Sequence, residues 1–175
     1  MTTRENQVEN GVKKVPARWV KVVIGKRLQE SEWQPFRWEL ESVEWCPHIG
    51  PDESPPISED PPQGVGCYFK VTLYPDEADG YYLNLTSSYP AWFVHWRLDE
   101  EETDSLPAVN FVTLSYNEAG RILDSSELVE NLPVDPDTAS WLAAFTQDHF
   151  VPEPRKRQRP QSFKSPGKRL GVANE

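Results

Sequence analysis

The residues able to do chemistry in this chain are few and widely spaced. Of three histidines and two cysteines, only Cys46-Pro47-His48 sets a thiol close to an imidazole, while Cys67, His95 and His149 stand far off. A structural zinc site needs four ligands, normally as two short-spaced pairs. With one such pair, two small buried thiols are the better reading. Cys67 with His95 is a conceivable nucleophile–base dyad, but strand alternation puts Cys67 on an apolar face, where a thiol resists ionisation. No Gly-x-Ser-x-Gly turn occurs, and Gly64-x-Gly66 does not continue into a phosphate-binding loop. The carboxylates come in runs, Asp99-Glu100-Glu101-Glu102 above all, and such runs are solvated loops rather than acid–base pairs. The residues thus present no self-contained catalytic site, no metal and no cofactor, and the chain reads as a non-enzyme.

Binding is the other chemistry open to it. Tyr68, Tyr74, Tyr82 and Phe93 fall on nominally wet strand faces, near Lys70 and Arg97. Left open, they would make a platform for stacking bases or burying a partner. Covered by helices, they become core, and two amphipathic helices late in the chain require a sheet face to cover. Charge is also unevenly placed. Residues 155–175 hold seven Lys/Arg and one acid, a net +6, while residues 1–154 hold eleven basic and 27 acidic residues, a net −16. An acidic body repels nucleic acid and anionic membranes, which leaves only the basic tail to attract them. No helix-turn-helix or RNA-binding signature accompanies it, so a nucleic-acid regulator ranks last among the readings.

The elements that must carry these residues are mostly strands. Residues 1–16 lack periodicity and are expected to be a disordered tail. Val20, Val22 and Ile24 alternate with Lys21 and Val23 as a strand. Phe36, Trp38 and Leu40 share one parity, whereas Val43 and Trp45 sit on the other. Such a switch requires an extra residue, so a bulge or bend is expected near Glu41-Ser42. The Pro- and acid-rich stretch 46–66 reads as a long mobile loop. Three strands in an antiparallel meander follow: Cys67–Tyr74, Tyr81–Thr86 and Trp92–Leu98. Val109–Leu114 is a further strand. Ser115 three residues before Glu118 is a capping box that starts a helix over Tyr116–Leu123. Glu127–Pro133 is extended and suits an edge strand. Asp135-Pro136 opens a second helix carrying Trp141, Leu142, Phe145 and His149 on one side, stopped by Pro152 and Pro154.

The fold class is therefore α+β: an antiparallel sheet of about six or seven strands with two short helices late in the chain and disordered ends. One domain is expected over residues 17–154, followed by the basic tail 155–175. Met1–Lys14 lacks an apolar segment of the kind that signals export, and no apolar run reaches the roughly 20 residues of a membrane span. A cytoplasmic protein with no membrane role is expected.

Five stretches together are similar to a known group. They are Glu77–Leu85, Tyr89–Val94, Val112–Ala119, Leu123–Val134 and the helix Trp141–Phe150 with its Lys/Arg-rich end. In this order they resemble a bacterial domain-of-unknown-function family of the DUF3305 type, over roughly residues 18–159. Members of that family are typically encoded beside molybdenum-dependent formate dehydrogenase genes and have a shorter link where this chain carries 46–66. The resemblance implies a non-catalytic accessory protein assisting expression, assembly or maturation of such a dehydrogenase. Its expected partner is a dehydrogenase subunit or an assembly factor. The residues expected to bind it are Ser115, Tyr116, Glu118, Glu127 and Glu130, with Arg155, Lys156, Arg157 and Arg159 of the tail. The alternative is a handler of an anionic molybdopterin-type cofactor, which the −16 body and the lack of a phosphate loop disfavour.

Overall fold

Alternation along the first ordered segment builds the centre of the molecule. In a computed structural model, which describes residues 15–30, 35–56, 64–98 and 106–152, strand β1 (Ala17–Leu28) buries Val20, Val22 and Ile24 completely on one face. It lies between β2 (Phe36–Trp45) and β3 (Gly64–Thr72), antiparallel to both. Val23 pairs with Ser42 and Ile24 with Leu40, so Glu41 is the extra residue of a bulge. That bulge lets Phe36, Trp38, Leu40, Val43 and Trp45 share one face despite their change of parity. Gly25 sits beside it, with the Glu41 carboxylate over its open face and paired with Arg27 at 3.2 Å.

A second antiparallel sheet has β4 (Ala91–Arg97) at its centre, flanked by β5 (Ala108–Thr113) and β6 (Val129–Pro133). The six strands described thus form two three-stranded sheets instead of one continuous sheet. Their free edges approach each other on both sides, β3 beside β5 and β2 beside β6. The core fills the space between, with Val20, Val22, Ile24, Leu40 and Val71 meeting Trp92, Val94 and Val112. At the β2–β6 seam a side chain replaces the missing ladder. Glu130 accepts the backbone N–H of Leu40 at 3.1 Å, a charge-assisted bond that satisfies an edge donor water would otherwise take.

Three α-helices join this core. The segment expected as the middle strand of a meander is instead a 3-10 turn (Pro75–Glu77) running into helix α1 (Ala78–Leu85). Tyr81, Leu83 and Leu85 alternate as in a strand, but Ala78, Tyr81 and Asn84 are spaced by three residues, and these are the buried ones. Pro75 and the acids Asp76 and Glu77 are helix-start chemistry. Asn84 is buried and fixes both neighbouring strands. Its Nδ2 donates to the carbonyls of Ala91 and Leu114, each at 2.8 Å, and its Oδ1 accepts from the Ala91 N–H at 2.9 Å.

Helix α2 (Tyr116–Asp124) and helix α3 (Pro136–His149) begin where their caps place them. Ser115 Oγ accepts from Glu118 N at 3.1 Å, and Asp135 accepts from Thr138 N at 2.9 Å. Tyr81 meets Phe145 edge-on at 5.8 Å, and Leu142 is fully buried. The Arg18 guanidinium lies over Trp45 at 4.0 Å and over Trp141 at 4.5 Å, which joins β1, β2 and α3.

The expected boundaries shift at two other places. Pro16 belongs to the fold, since its carbonyl accepts from Leu73 N at 2.9 Å. The 46–66 stretch is not one loop. Residues 46–56 make turns with Cys46 and Ile49 buried, and 64–66 already pair with β1 in β3. No helix among the described residues is long and apolar enough to cross a membrane. The two expected tails, 1–16 and 155–175, lie outside the described residues apart from Val15 and Pro16.

Candidate functional site

Among the described residues, a concave surface lies where β4 ends, β5 and β6 begin and α2 stops. Its larger lobe, about 920 Å³, is walled by Trp96, Arg97, Leu98, Leu106 and Leu128, with Asn110, Ser126, Glu127 and Glu130 among its polar groups. A smaller lobe of about 420 Å³ shares Asn110 and Glu127 and adds His95, Phe111, Glu118 and Arg121.

Local irregularities aim these groups. Asn110 is the extra residue of a second bulge, because His95 pairs with Phe111 and Trp96 with Val109. Bulges re-aim side chains in this way. The end of α2 is a left-handed cap. Ser126 has φ 67°, alone among the non-glycine residues described. Ser126 N donates to Leu123 O at 3.0 Å and Glu127 N to Ile122 O at 3.4 Å, the bond pair of a Schellman cap. Glycine normally holds that position. Here serine does, and the chain leaves the cap with Glu127 turned into the cleft.

The imidazole of His95 is largely buried and is held at both nitrogens. The Leu128 carbonyl can only accept, so Nδ1 donates to it at 2.9 Å. Nε2 then accepts from Asn110 Nδ2 at 3.4 Å and lies 3.7 Å from Glu127 Oε2. Glu127 Oε1 is 3.9 Å from Arg97. A ligand entering here meets a carboxamide, a carboxylate and a guanidinium, with leucines around them and the His95 imidazole holding Asn110 from behind. Such a set holds peptide-like donors and acceptors. It includes no thiol or hydroxyl activated by the histidine. No group of three or more His, Cys, Asp or Glu that could hold a metal occurs among the described residues.

Behind the smaller lobe, a carboxylate network joins α1 to α2. Glu77 accepts from Ser115 Oγ at 2.6 Å and from Arg121 Nη2 at 2.6 Å. Glu118 accepts from the Thr113 hydroxyl, which in turn accepts from Ser115 N at 2.9 Å. The capping box is thus closed through a threonine relay. Burial raises the Glu118 carboxyl above its ordinary value, against the Thr113 hydrogen bond that lowers it. Gly80 permits this approach of the helices, since a Cβ there would fall 2.2 Å from Ser115 Oγ.

The expected partner-binding residues separate on this framework. Glu118, Glu127 and Glu130 line the two lobes. Ser115 is fully buried, its hydroxyl committed to Glu77 and Glu118. Tyr116 is exposed and meets Phe93 edge-on at 6.0 Å, outside the cleft lining. Arg155, Lys156, Arg157 and Arg159 lie outside the described residues. The open aromatic platform does not form: Tyr68 lies on the first sheet, Tyr82 on α1 and Phe93 against Tyr116 of α2. Cys67 packs against the core on the first sheet, whereas His95 belongs to the second. Cys46 is buried, with its thiol pushed up by that burial, while His48 is exposed.

Sequence reasoning weighed His95 only as a distant metal ligand and as a base for Cys67, and did not single out Asn110. Their signal was present. Val109 and Phe111 share one parity while Val112 and Leu114 share the other, the same switch that exposed the bulge at Glu41.

No curated protein and no solved structure matches this chain. A family profile described as a protein of unknown function, DUF3305, matches residues 19–159. The match spans both sheets, all three helices and the whole cleft, and the chain belongs to the DUF3305 family.

Proposed function

We propose that this protein is a non-catalytic accessory factor that binds a partner protein in the cleft at the end of the second sheet. The supporting observation is the rim. Leu106 is 61% exposed and Leu128 80% exposed, and with Leu98 they flank one concave surface whose floor holds His95, Asn110 and Glu127. Solvent-facing leucines gathered at one cleft favour burial by a partner. The polar floor suits an extended segment with aliphatic anchors, its peptide groups meeting the Asn110 carboxamide and the Glu127 carboxylate. Acidic residues Glu127 and Glu130 against Arg97 argue against an anionic cofactor as occupant.

The similarity described from the sequence supports placing the partner in the expression, assembly or maturation of a molybdenum-dependent formate dehydrogenase. The test is capture of a named subunit. Tagged wild type is compared with a Leu106→Asp/Leu128→Asp double variant, both sites being exposed. Each leucine fully buried by a partner contributes roughly 1.5–3 kcal/mol, so the variant is expected to lose at least tenfold in capture of the dehydrogenase subunit. Equal capture by both proteins refutes the cleft as the binding surface. Absence of the subunit from both refutes the dehydrogenase assignment.

A further inference from the structure

The smaller lobe of the cleft is lined chiefly by acceptors. Asn110 spends its amide on His95 Nε2 at 3.4 Å and keeps a carbonyl oxygen to offer. Ser125 Oγ donates to the Ile122 carbonyl at 2.7 Å, so its hydroxyl also has only lone pairs left. Glu118 accepts from the Thr113 hydroxyl. The Glu127 oxygens stand 3.7 Å from His95 Nε2 and 3.9 Å from Arg97, both beyond hydrogen-bond length. All four residues line the same lobe.

The charged donor on that wall, Arg121, is already taken. It lies 2.6 Å from Glu77 and 3.9 Å from Glu118, so an entering acid would have to draw it off two carboxylates. Across the two lobes Glu118, Glu127 and Glu130, with Glu77 behind, set four carboxylates against the guanidinium groups of Arg97 and Arg121, a net −2. The field of the chain has the same sign, since residues 1–154 sum to −16, and such a field steers cations toward the cleft. Between the acceptors, Phe111 and Ile122 give the lobe apolar walls. Many donors, no acceptor and an aliphatic stem describe a lysine or arginine side chain.

We propose that the smaller lobe receives a lysine or arginine of the partner's segment, its charged head at Glu127 and Glu118 and its stem on Phe111 and Ile122. A neighbouring aliphatic residue of the same segment then fills the leucine-rimmed lobe. The cleft thereby selects a basic residue beside an aliphatic one, a preference that rests on the reading of this cleft as the partner-binding surface.

Panning with random six-residue peptides, acetylated and amidated so that only side chains carry charge, tests both levels. Immobilised full-length protein is used in about 20 mM NaCl, where exposed ion pairs are least screened. Wild type is expected to enrich Lys or Arg next to Leu, Ile, Val or Met by roughly three- to fivefold over input. Glu127→Gln breaks no hydrogen bond of its side chain among the described residues. It should return the basic residues to input level and leave the aliphatic enrichment in place. Arg97→Gln removes the cation that competes for Glu127 and should raise the basic enrichment. Basic enrichment that both variants leave unchanged overturns the proposal, because it reports only the acidic body. Aliphatic enrichment without basic residues in wild type overturns it too, while keeping the cleft as the binding surface. Leu106→Asn/Leu128→Asn, which leaves the charge unaltered, checks that surface. Equal enrichment by this variant and wild type refutes the cleft reading and the proposal with it.

Discussion

At the scale of single residues, two carboxylates that cap helices, Glu118 and Asp135, have opposed pH behaviour. Burial raises the Glu118 carboxyl, so the folded state holds that proton more tightly than the unfolded chain does. Its contribution to stability is complete below the ordinary carboxylate value and is lost as pH rises through the raised folded value. Asp135 is the reverse. Its value is lowered, because the hydrogen bonds from Thr138 and the backbone outweigh the burial that opposes them. Its contribution is present above the ordinary value and fades as pH falls through the lowered one. Glu118→Gln keeps an acceptor for Thr113 without the buried charge. Urea melts of this variant should therefore gain on the wild type as pH climbs from about 4 toward neutrality. A constant difference across that range would mean Glu118 carries no shifted proton. Tyr81 belongs to the same class, its phenol pushed up to about 12 by burial.

At the scale of elements, what could be read in the sequence depended on whether the signal was a cap or a period. Helices α2 and α3 declared themselves through Ser115 with Glu118 and through Asp135-Pro136, because capping side chains act locally and leave a fixed spacing. The bulge at Glu41 was legible because a face switch has only one geometric remedy. Helix α1 was not. Over eight residues, an alternating apolar pattern fits a strand as well as a helix, and the deciding contacts come from elsewhere in the chain. Asn84 must reach Ala91 and Leu114, and Gly80 must admit Ser115. The same holds for the site. Glu127 and Glu130 were found because they belong to the expected extended segment 127–133, whereas His95 and Asn110 acquire meaning only once a bulge brings them together.

The weight placed on Asn84 can be measured. Asn84→Ala leaves two carbonyls and one N–H without partners in a buried setting, at about 1–3 kcal/mol each if water cannot enter. A loss of about 3 kcal/mol or more in urea denaturation is expected, and a loss below 1 kcal/mol would show that these bonds do not tie α1 to the second sheet.

At the scale of the whole molecule, two small sheets behave as one body only while their edges stay together. At the β2–β6 seam the Glu130 side chain spans the gap to the Leu40 N–H. Bonds to charged groups contribute about 1.5–3 kcal/mol. Glu130→Ala should therefore speed amide exchange at Leu40 by roughly tenfold or more, with the interior β1 amides unchanged. Exchange that rises equally across β1 would show global loosening rather than an opened seam. The closed seams also constrain recognition. With β2 against β6 and β3 against β5, a partner has little free edge to extend and must rely on side chains in a cleft.

The Glu130–Leu40 bond also separates two moments in the life of the chain. Its partners lie 90 residues apart. On the ribosome the first sheet is complete once β3 ends at Thr72, but the strand that seals its far edge ends at Pro133. At ordinary elongation rates that interval lasts about 3–12 s. Until β4 and β5 follow within that interval, Val20, Val22 and Ile24 lack the Trp92, Val94 and Val112 that cover them in the finished fold. The first sheet thus stands as an open half-sandwich, its apolar face exposed to water, until its second half is made.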